Sequence, residues 1–425
     1  MKTLIKIFLV SILLVSTNFS QQDLGDGWQI LGQVMLRSEL DGRDFSNSTH
    51  PLTFASSRIR LGVAKTFDEK VQLFIQAQDS RVFGSESNTL SNSKNLDLHQ
   101  GFVKLTKLFG WNFSFQAGRF EVSYGTQRFI GAVGWHFVGR SFDGARLTIA
   151  PNKWDLDIFA LTVKESVSYI GNATSSTYPF PQEPTPASSI YGIWKKTNID
   201  DANKFDLFGY WEVDREKVGV DSCKLNKATF GGTYWGIFGN FSTIVEAAYQ
   251  LGDQAGKDVS AYLISAQGHY KIGIAKVGLG ADILSGTKPT NRDKVNTFYP
   301  TYGTNHKFYG FMDYFINIPV NTLNLGLHDF YFKAKIVPEN SEWEFAADFH
   351  HFMSNQTAVS NVNGVSKDVD TFGQEVDLTI GYNFIKGTKL IWGGSFFFQG
   401  DIMKSIFDPR EDTAYWTYVM VVANL

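Results

Sequence analysis

Arginine is concentrated near the start of the chain, where it sits in alternating patterns. Nine of the twelve arginines (37, 43, 58, 60, 81, 119, 128, 140 and 146) lie in the first 146 residues. Arg58 and Arg60 alternate with Ile59 and Leu61, and Arg146 follows Ala145 in the same way. Since successive strand residues point to opposite faces, these guanidinium groups face away from the apolar side. Guanidinium groups bind carboxylates and phosphates through paired hydrogen bonds, so the pattern predicts an anion-binding surface.

A second interpretation uses the acidic residues. Glu344, Asp348, Glu375 and Asp377 also lie on polar faces of predicted strands. They would pair with the arginines and fill the interior instead of leaving it free for a ligand. Both arrangements can coexist, because some arginines can pair with acids while others stay available to a ligand.

Nothing in the motifs indicates metal or cofactor chemistry. The eight histidines have no metal-site spacing, and His350 and His351 are neighbours on opposite faces of a strand. There is no G-x-S-x-G or H-E-x-x-H motif. The sequence therefore predicts no cofactor and no enzyme, although Ser, His and Asp from separate strands could still meet on one surface.

The N-terminus predicts export. Lys2 and Lys6 precede a short apolar run at 7–15, which is typical of a signal peptide cleaved near residue 20. We expect residues 21–425 to form one domain with a formal charge of 37 − 42 = −5, which argues against nucleic-acid binding. Cys223 is the only cysteine, so no internal disulfide can stabilise this domain.

The elements that position these residues are β-strands. Alternation of apolar and polar residues recurs along the whole mature sequence, and short and long connectors follow each other in turn. This rhythm predicts an all-β protein, a single antiparallel barrel of about 18 strands with both termini at the periplasmic end. The predicted strands are 28–39, 53–64, 71–79, 96–106, 111–120, 141–150, 153–163, 188–196, 204–212, 226–235, 241–249, 258–270, 274–284, 325–337, 342–352, 373–384, 389–398 and 413–425.

The apolar faces indicate that the barrel lies in a membrane. After the signal no apolar run approaches the length of a membrane-spanning helix, while 15% of residues are aromatic. An arginine facing lipid costs roughly 2–4 kcal/mol at the midplane, so we expect the alternating arginines in the lumen. The predicted location is the cell outer membrane, in contact with its lipid and lipopolysaccharide.

One segment departs from alternation. Residues 118–131 are rich in glycine and charge and run into Trp135. An extracellular loop would be more polar, so we expect this segment to fold into the mouth or the lumen and narrow it.

Several blocks resemble a known family. They are S57-R-I-R-L-G62, Q78-D-S-R81, L98-H-Q-G-F-V103, A117-G-R119, Y124-G-T-Q-R128, Trp135, G139-R-S-F-D-G144, H306-K-F-Y-G310 with Asp313, and G373-Q-E-V-D377. In this order they resemble the alginate-export family of outer-membrane porins, most densely over residues 55–150.

The resemblance implies a monomeric 18-stranded barrel that passes a uronate polymer through an electropositive lumen. It also implies the pore-lining positions: Arg58, Arg60, Arg119, Arg128, Arg140 and Arg146.

Four functions follow from these observations. The first is passive diffusion of an anionic oligo- or polysaccharide, alginate-like in charge, through an arginine-lined lumen. The second is a general or phosphate-type porin for small anionic solutes. The third is an outer-membrane hydrolase, a lipase or protease, built on the barrel wall. The fourth is a soluble glycan-binding protein, which would be extracted without detergent.

Overall fold

The wall of the molecule consists of eighteen β-strands. The computed structural model describes residues 21–46, 48–84, 95–164, 187–218, 222–291, 293–362, 365–406 and 412–425. The predicted signal peptide, 1–20, lies outside them. In chain order the strands are β1 (Trp28–Gly42), β2 (Leu52–Phe67), β3 (Val71–Val82), β4 (Leu96–Leu105), β5 (Phe113–Phe120), β6 (Phe142–Ile149), β7 (Trp154–Lys164), β8 (Ser188–Asn198), β9 (Asn203–Val218), β10 (Ser222–Phe238), β11 (Phe241–Gln254), β12 (Lys257–Ile272), β13 (Ala275–Leu284), β14 (Leu327–Ile336), β15 (Trp343–Val362), β16 (Val365–Ile385), β17 (Thr388–Gln399) and β18 (Ala414–Asn424).

The strands close into a ring. Each pairs antiparallel with its neighbours in sequence, and β18 pairs with β1 from Gln33↔Asn424 to Gly42↔Tyr415. Of the 20 strands in the sheet, two are short additions, Gln21–Gly25 and Lys294–Val295, which leaves 20 − 2 = 18 in the wall. Closure removes unpaired sheet edges, as a lipid environment requires. The predicted all-β barrel and all eighteen of its strands are confirmed.

Little of the described chain is helical. It contains 3-10 turns at Leu108–Gly110 and Asn305–Lys307 and short α-helices at Ile318–Asn321 and Asp401–Ile406. No helix in the described ranges is long and apolar enough to span a membrane.

The prediction of a long loop is wrong for three of the connectors between predicted strands. Residues 213–225, 250–257 and 353–372 mostly extend the flanking strands. Between β11 and β12 only Ala255 and Gly256 remain outside the strands, both with positive φ (55° and 79°). Two residues with positive φ form the tight turn that matches strand twist, so no longer loop is needed.

The two faces of the wall differ as the alternation requires. On β2, Arg58 and Arg60 are 0% and 1% exposed, whereas Ile59 and Leu61 are 48% and 57% exposed. The same contrast of buried polar and exposed apolar side chains recurs around the ring. An apolar outer band around a polar interior is the arrangement of a transmembrane barrel.

The interior contains its own apolar core. Two segments fold into the barrel, the first inward segment (residues 121–141) and the second inward segment (residues 285–291 and 293–326). Their buried aromatic and aliphatic side chains pack together and against the inner wall. A parallel bridge joins them, Ile130↔Tyr302. The predicted inward folding of the region around residues 118–131 is confirmed, and the second segment was not predicted.

Candidate functional site

The first inward segment is anchored to the far wall by Arg128. This side chain is fully buried and donates to Glu246 on β11 at 2.7 Å and to Asp282 on β13 at 2.8 Å. It also donates to the Tyr309 hydroxyl at 3.1 Å. Burial opposes the charge, but the two carboxylates outweigh it and raise the pKa of Arg128 above its ordinary value. Arg128 is therefore a charged residue that anchors the first inward segment, and it offers no free surface to a solute.

Arg58 also binds the first inward segment, without a carboxylate. Its guanidinium donates to the carbonyls of Gly134 and His136 at 3.0 and 2.8 Å and to Gln33 at 2.7 Å. Backbone carbonyls carry only partial charge, so the Arg58 cation is solvated by protein dipoles rather than neutralised by an ion pair.

Arg60 makes the ion pair that Arg58 lacks. It donates to Glu121 at 3.0 Å, and His99 contacts the same carboxylate at 2.7 Å. Burial opposes the charge of Glu121, but His99 and Arg60 keep the pKa of Glu121 below its ordinary value. This arginine follows the charge-balancing interpretation of the sequence.

Arg140 joins the two inward segments. It donates to the carbonyls of Gly131 and Gly303 at 3.4 and 3.3 Å and to that of Tyr302. Burial lowers the pKa of Arg140 from its ordinary value. Like Arg58, Arg140 lies inside the barrel and holds an inward segment through hydrogen bonds to backbone carbonyls.

Arg146 faces the lumen and is only partly buried. It donates to Gln116 at 2.6 Å, and its side chain is 21% exposed. Its nearest carboxylate is that of Asp157 at 3.9 Å.

Two of the four predicted acidic residues, Glu375 and Asp377, also hold an inward segment. The Met312 amide donates to Glu375 at 2.8 Å, and the Phe311 amide donates to Asp377 at 3.3 Å. Gly310 has φ +79°, and a Cβ there would lie 2.5 Å from the Glu375 carboxylate, so only glycine fits this approach. Glu375 and Asp377 thus anchor the second inward segment.

Arg119 does not line the lumen, and its assignment as a pore residue is wrong. It shares a face of β5 with Phe113 and Phe115, opposite the buried Gln116. On the outer wall it pairs with Asp143 at 2.7 Å. The strand alternation places it outside, whereas the family motif had suggested a position in the conduit.

The sequence reading missed a set of lysines. Seven of them point into the lumen one or two residues from the short-turn ends of their strands, and we call them the lysine girdle. They are Lys104, Lys196, Lys204, Lys271, Lys276, Lys335 and Lys389. Strand alternation alone could have identified them, because each shares a face with buried polar or apolar wall residues.

The lysine girdle is only partly neutralised. Lys196, Lys335 and Lys389 keep 41%, 25% and 28% of their side chains exposed. Glu344 serves both Lys335 and Lys389, and Asp157 lies 3.4 Å from Lys196. These cations are accessible from the lumen, in contrast to the buried Arg58 and Arg128.

The inner aromatics serve packing. Tyr124 stacks on Trp194 at 4.7 Å between ring centroids, and Trp194 stacks on Phe208 at 4.2 Å. All three rings are buried, so they lock the first inward segment to β8 and β9 rather than offering a face to a sugar.

Comparison with solved structures shows which proteins share the fold. OpdK, an outer membrane protein of Pseudomonas aeruginosa solved with vanillate, has a TM-score of 0.57 and 10% identity over 93% of this chain and 98% of its own. OccK8 (OprE) of the same organism has a TM-score of 0.58 and 13% identity with the same coverage. OccAB4 of Acinetobacter baumannii has a TM-score of 0.58 and 11% identity over 93% and 97% of the two chains.

The sequence comparisons complement the fold. No curated protein matches this chain. The family described as alginate export matches residues 36–414, which include every wall strand in whole or in part. The chain therefore belongs to the alginate export family.

Proposed function

We propose that this protein is an outer-membrane channel for passive diffusion of an anionic oligo- or polysaccharide of the alginate type. The observation that carries this proposal is the lysine girdle together with Arg146, because these cations face the lumen and remain partly exposed. Cations across a lumen replace the hydration that a carboxylate loses on entry. Membership of the alginate export family supports the same solute class.

We also propose how the barrel is oriented in the membrane and in what form it functions. Both termini and the short turns lie at one end of the barrel, which we assign to the periplasm. The lysine girdle then forms the periplasmic mouth. We also propose that residues 1–20 are removed on export and that the barrel is a monomer.

The deciding experiment is planar-bilayer conductance of the refolded protein under a salt gradient, with and without oligouronate. We expect an anion-selective reversal potential and block that depends on oligouronate concentration. Arg119→Gln is the matched control, because this arginine lies on the outer wall and its loss should change neither quantity. Cation selectivity or absence of block in well-folded protein would contradict the proposal.

A small-solute channel is the second candidate. The two inward segments pack an apolar core inside the barrel, which leaves less room for a polymer than an open lumen would. OpdK, which shares the fold, was solved with the small anion vanillate. Anion-selective channels that oligouronate does not block would favour this candidate.

Lys307 gives the channel a predicted pH dependence. It lies on the second inward segment and donates to the Thr126 carbonyl at 3.0 Å. Burial lowers the pKa of Lys307 to about 8, against the attraction of Glu246. We expect anion selectivity to fall by about twofold between pH 7 and pH 9, as one lumenal charge is lost.

The control for this prediction is Lys307→Arg, which keeps its charge and should show no such fall. Lys307 should also add stability as pH rises from about 8 towards 10.5, the ordinary pKa of a lysine, because the unfolded chain still holds the proton in that range. A selectivity that is flat with pH in both proteins would contradict the assignment.

A further inference from the structure

The outer wall carries an apolar groove on strands β6 to β10. Its volume is about 880 Å³, and its lining is almost wholly apolar. Small residues make the depression: Ala145 lies opposite Ala160, and Gly209 lies between Ile193 and Phe230. Larger outward side chains, Trp211 among them, form its sides.

The position of the groove limits what can fill it. The outward residues of these strands, such as Ile158, Ile193 and Leu207, are among the strongly exposed apolar side chains of the wall. A transmembrane barrel presents this band to hydrocarbon. An unfilled apolar groove would forfeit dispersion contacts along its lining, so a flexible alkyl chain is the occupant that the surroundings supply.

One end of the groove carries a cation. Lys195 lines it and points outward near the short-turn end of β8. Within the described residues its ammonium lies 5.4 Å from the ring centroid of Trp154 and forms no ion pair. Its cross-strand neighbours, Leu156 and Leu207, are apolar. A cation beside an indole at the edge of the hydrocarbon band is placed to meet a lipid phosphate.

We propose that this groove binds one phospholipid, with an acyl chain along Ala145, Ala160 and Gly209 and the phosphate on Lys195. The lipid would be that of the leaflet at the short-turn end, so this step uses the orientation proposed above but not the solute. Bound lipid would support the wall on which Trp194 and Phe208 hold the first inward segment from the other side.

The test is native mass spectrometry of the detergent-purified, delipidated barrel titrated with phosphatidylglycerol. We expect one tightly retained lipid. Ala160→Leu, which fills the groove, should weaken retention at least about tenfold, and Lys195→Gln should remove the preference for phosphatidylglycerol over a zwitterionic lipid.

Two matched controls keep the test specific. Ala247→Leu enlarges an exposed outward alanine on β11 that does not line the groove. Lys65→Gln removes another outward lysine that lies over a tryptophan, 5.0 Å from the ring of Trp28. Both should retain phosphatidylglycerol as the parent does, with unchanged heat-modifiable mobility.

Two results would overturn the proposal. One is Ala160→Leu protein that folds and retains phosphatidylglycerol like the parent. The other is retention of lipopolysaccharide alone, independent of Lys195. Neither depends on conductance, so the outcome is separable from that of the channel experiment.

Discussion

Replacing Arg128 with methionine should lower the free energy of unfolding by about 3–5 kcal/mol and raise single-channel conductance. In the parent protein, Arg128 donates hydrogen bonds of 2.7 to 3.1 Å to the buried carboxylates of Glu246 and Asp282. The substitution leaves both carboxylates buried without this partner. It also removes the bonds that tie the first inward segment to β11 and β13. Backbone hydrogen bonds between neighbouring strands hold the wall together without Arg128. We therefore expect the first inward segment to loosen while the barrel stays folded.

A triple variant separates loss of the Arg128 anchor from the destabilisation caused by unpaired buried carboxylates. Arg128→Met with Glu246→Gln and Asp282→Asn removes the stranded charges, so much of the stability should return while the segment stays untied. Stability is read from urea unfolding followed by heat-modifiable mobility, and conductance from single channels. Arg146→Met is the control for stability alone, because that arginine is partly exposed and its nearest carboxylate is 3.9 Å away. Parent-like conductance in both Arg128 variants would show that the segment does not narrow the path.

The strand pattern was predictable because it depends on local chemistry. Lipid outside and a polar interior impose a two-residue period, so Ile59 and Leu61 identify their face without knowledge of any partner strand. The same rule places Arg58 inside and, applied to β5, places Arg119 outside with Phe115. At Arg119 the family motif and the two-residue period disagree, and the side chain follows the period.

The interior was less predictable because its contacts are long-range. Arg128 meets Glu246 and Asp282 across 118 and 154 residues of sequence, and no local pattern selects those partners among the acids available. In sequence, the second inward segment resembles an ordinary long loop. Only the contacts of Gly310 and Met312 with Glu375 show that it lies inside the barrel. Burial of Arg58 likewise depends on the first inward segment covering it.

These placements change which cations should control selectivity. Arg58 and Arg60 are covered by the first inward segment, so neutralising them removes hydrogen bonds within the protein. Lys104 and Lys276 face the lumen and form no ion pair with any described carboxylate. The lysine girdle is therefore the better target.

Lys104→Glu combined with Lys276→Glu should reverse the ion selectivity and weaken oligouronate block by at least about tenfold. Each reversal replaces attraction of a passing carboxylate by repulsion, and one such interaction at about 4 Å is worth roughly 1 kcal/mol even in water. The two residues lie on β4 and β13, on different parts of the ring, so a polyanion that crosses the mouth meets both changes. Lys65→Glu, at an outward lysine beside Trp28, carries the same charge change per residue on the other face of the wall and should leave block intact. Equal block in the double variant and the parent would mean that the solute does not pass the girdle, and the anion-binding surface would then have to lie among residues of the extracellular half.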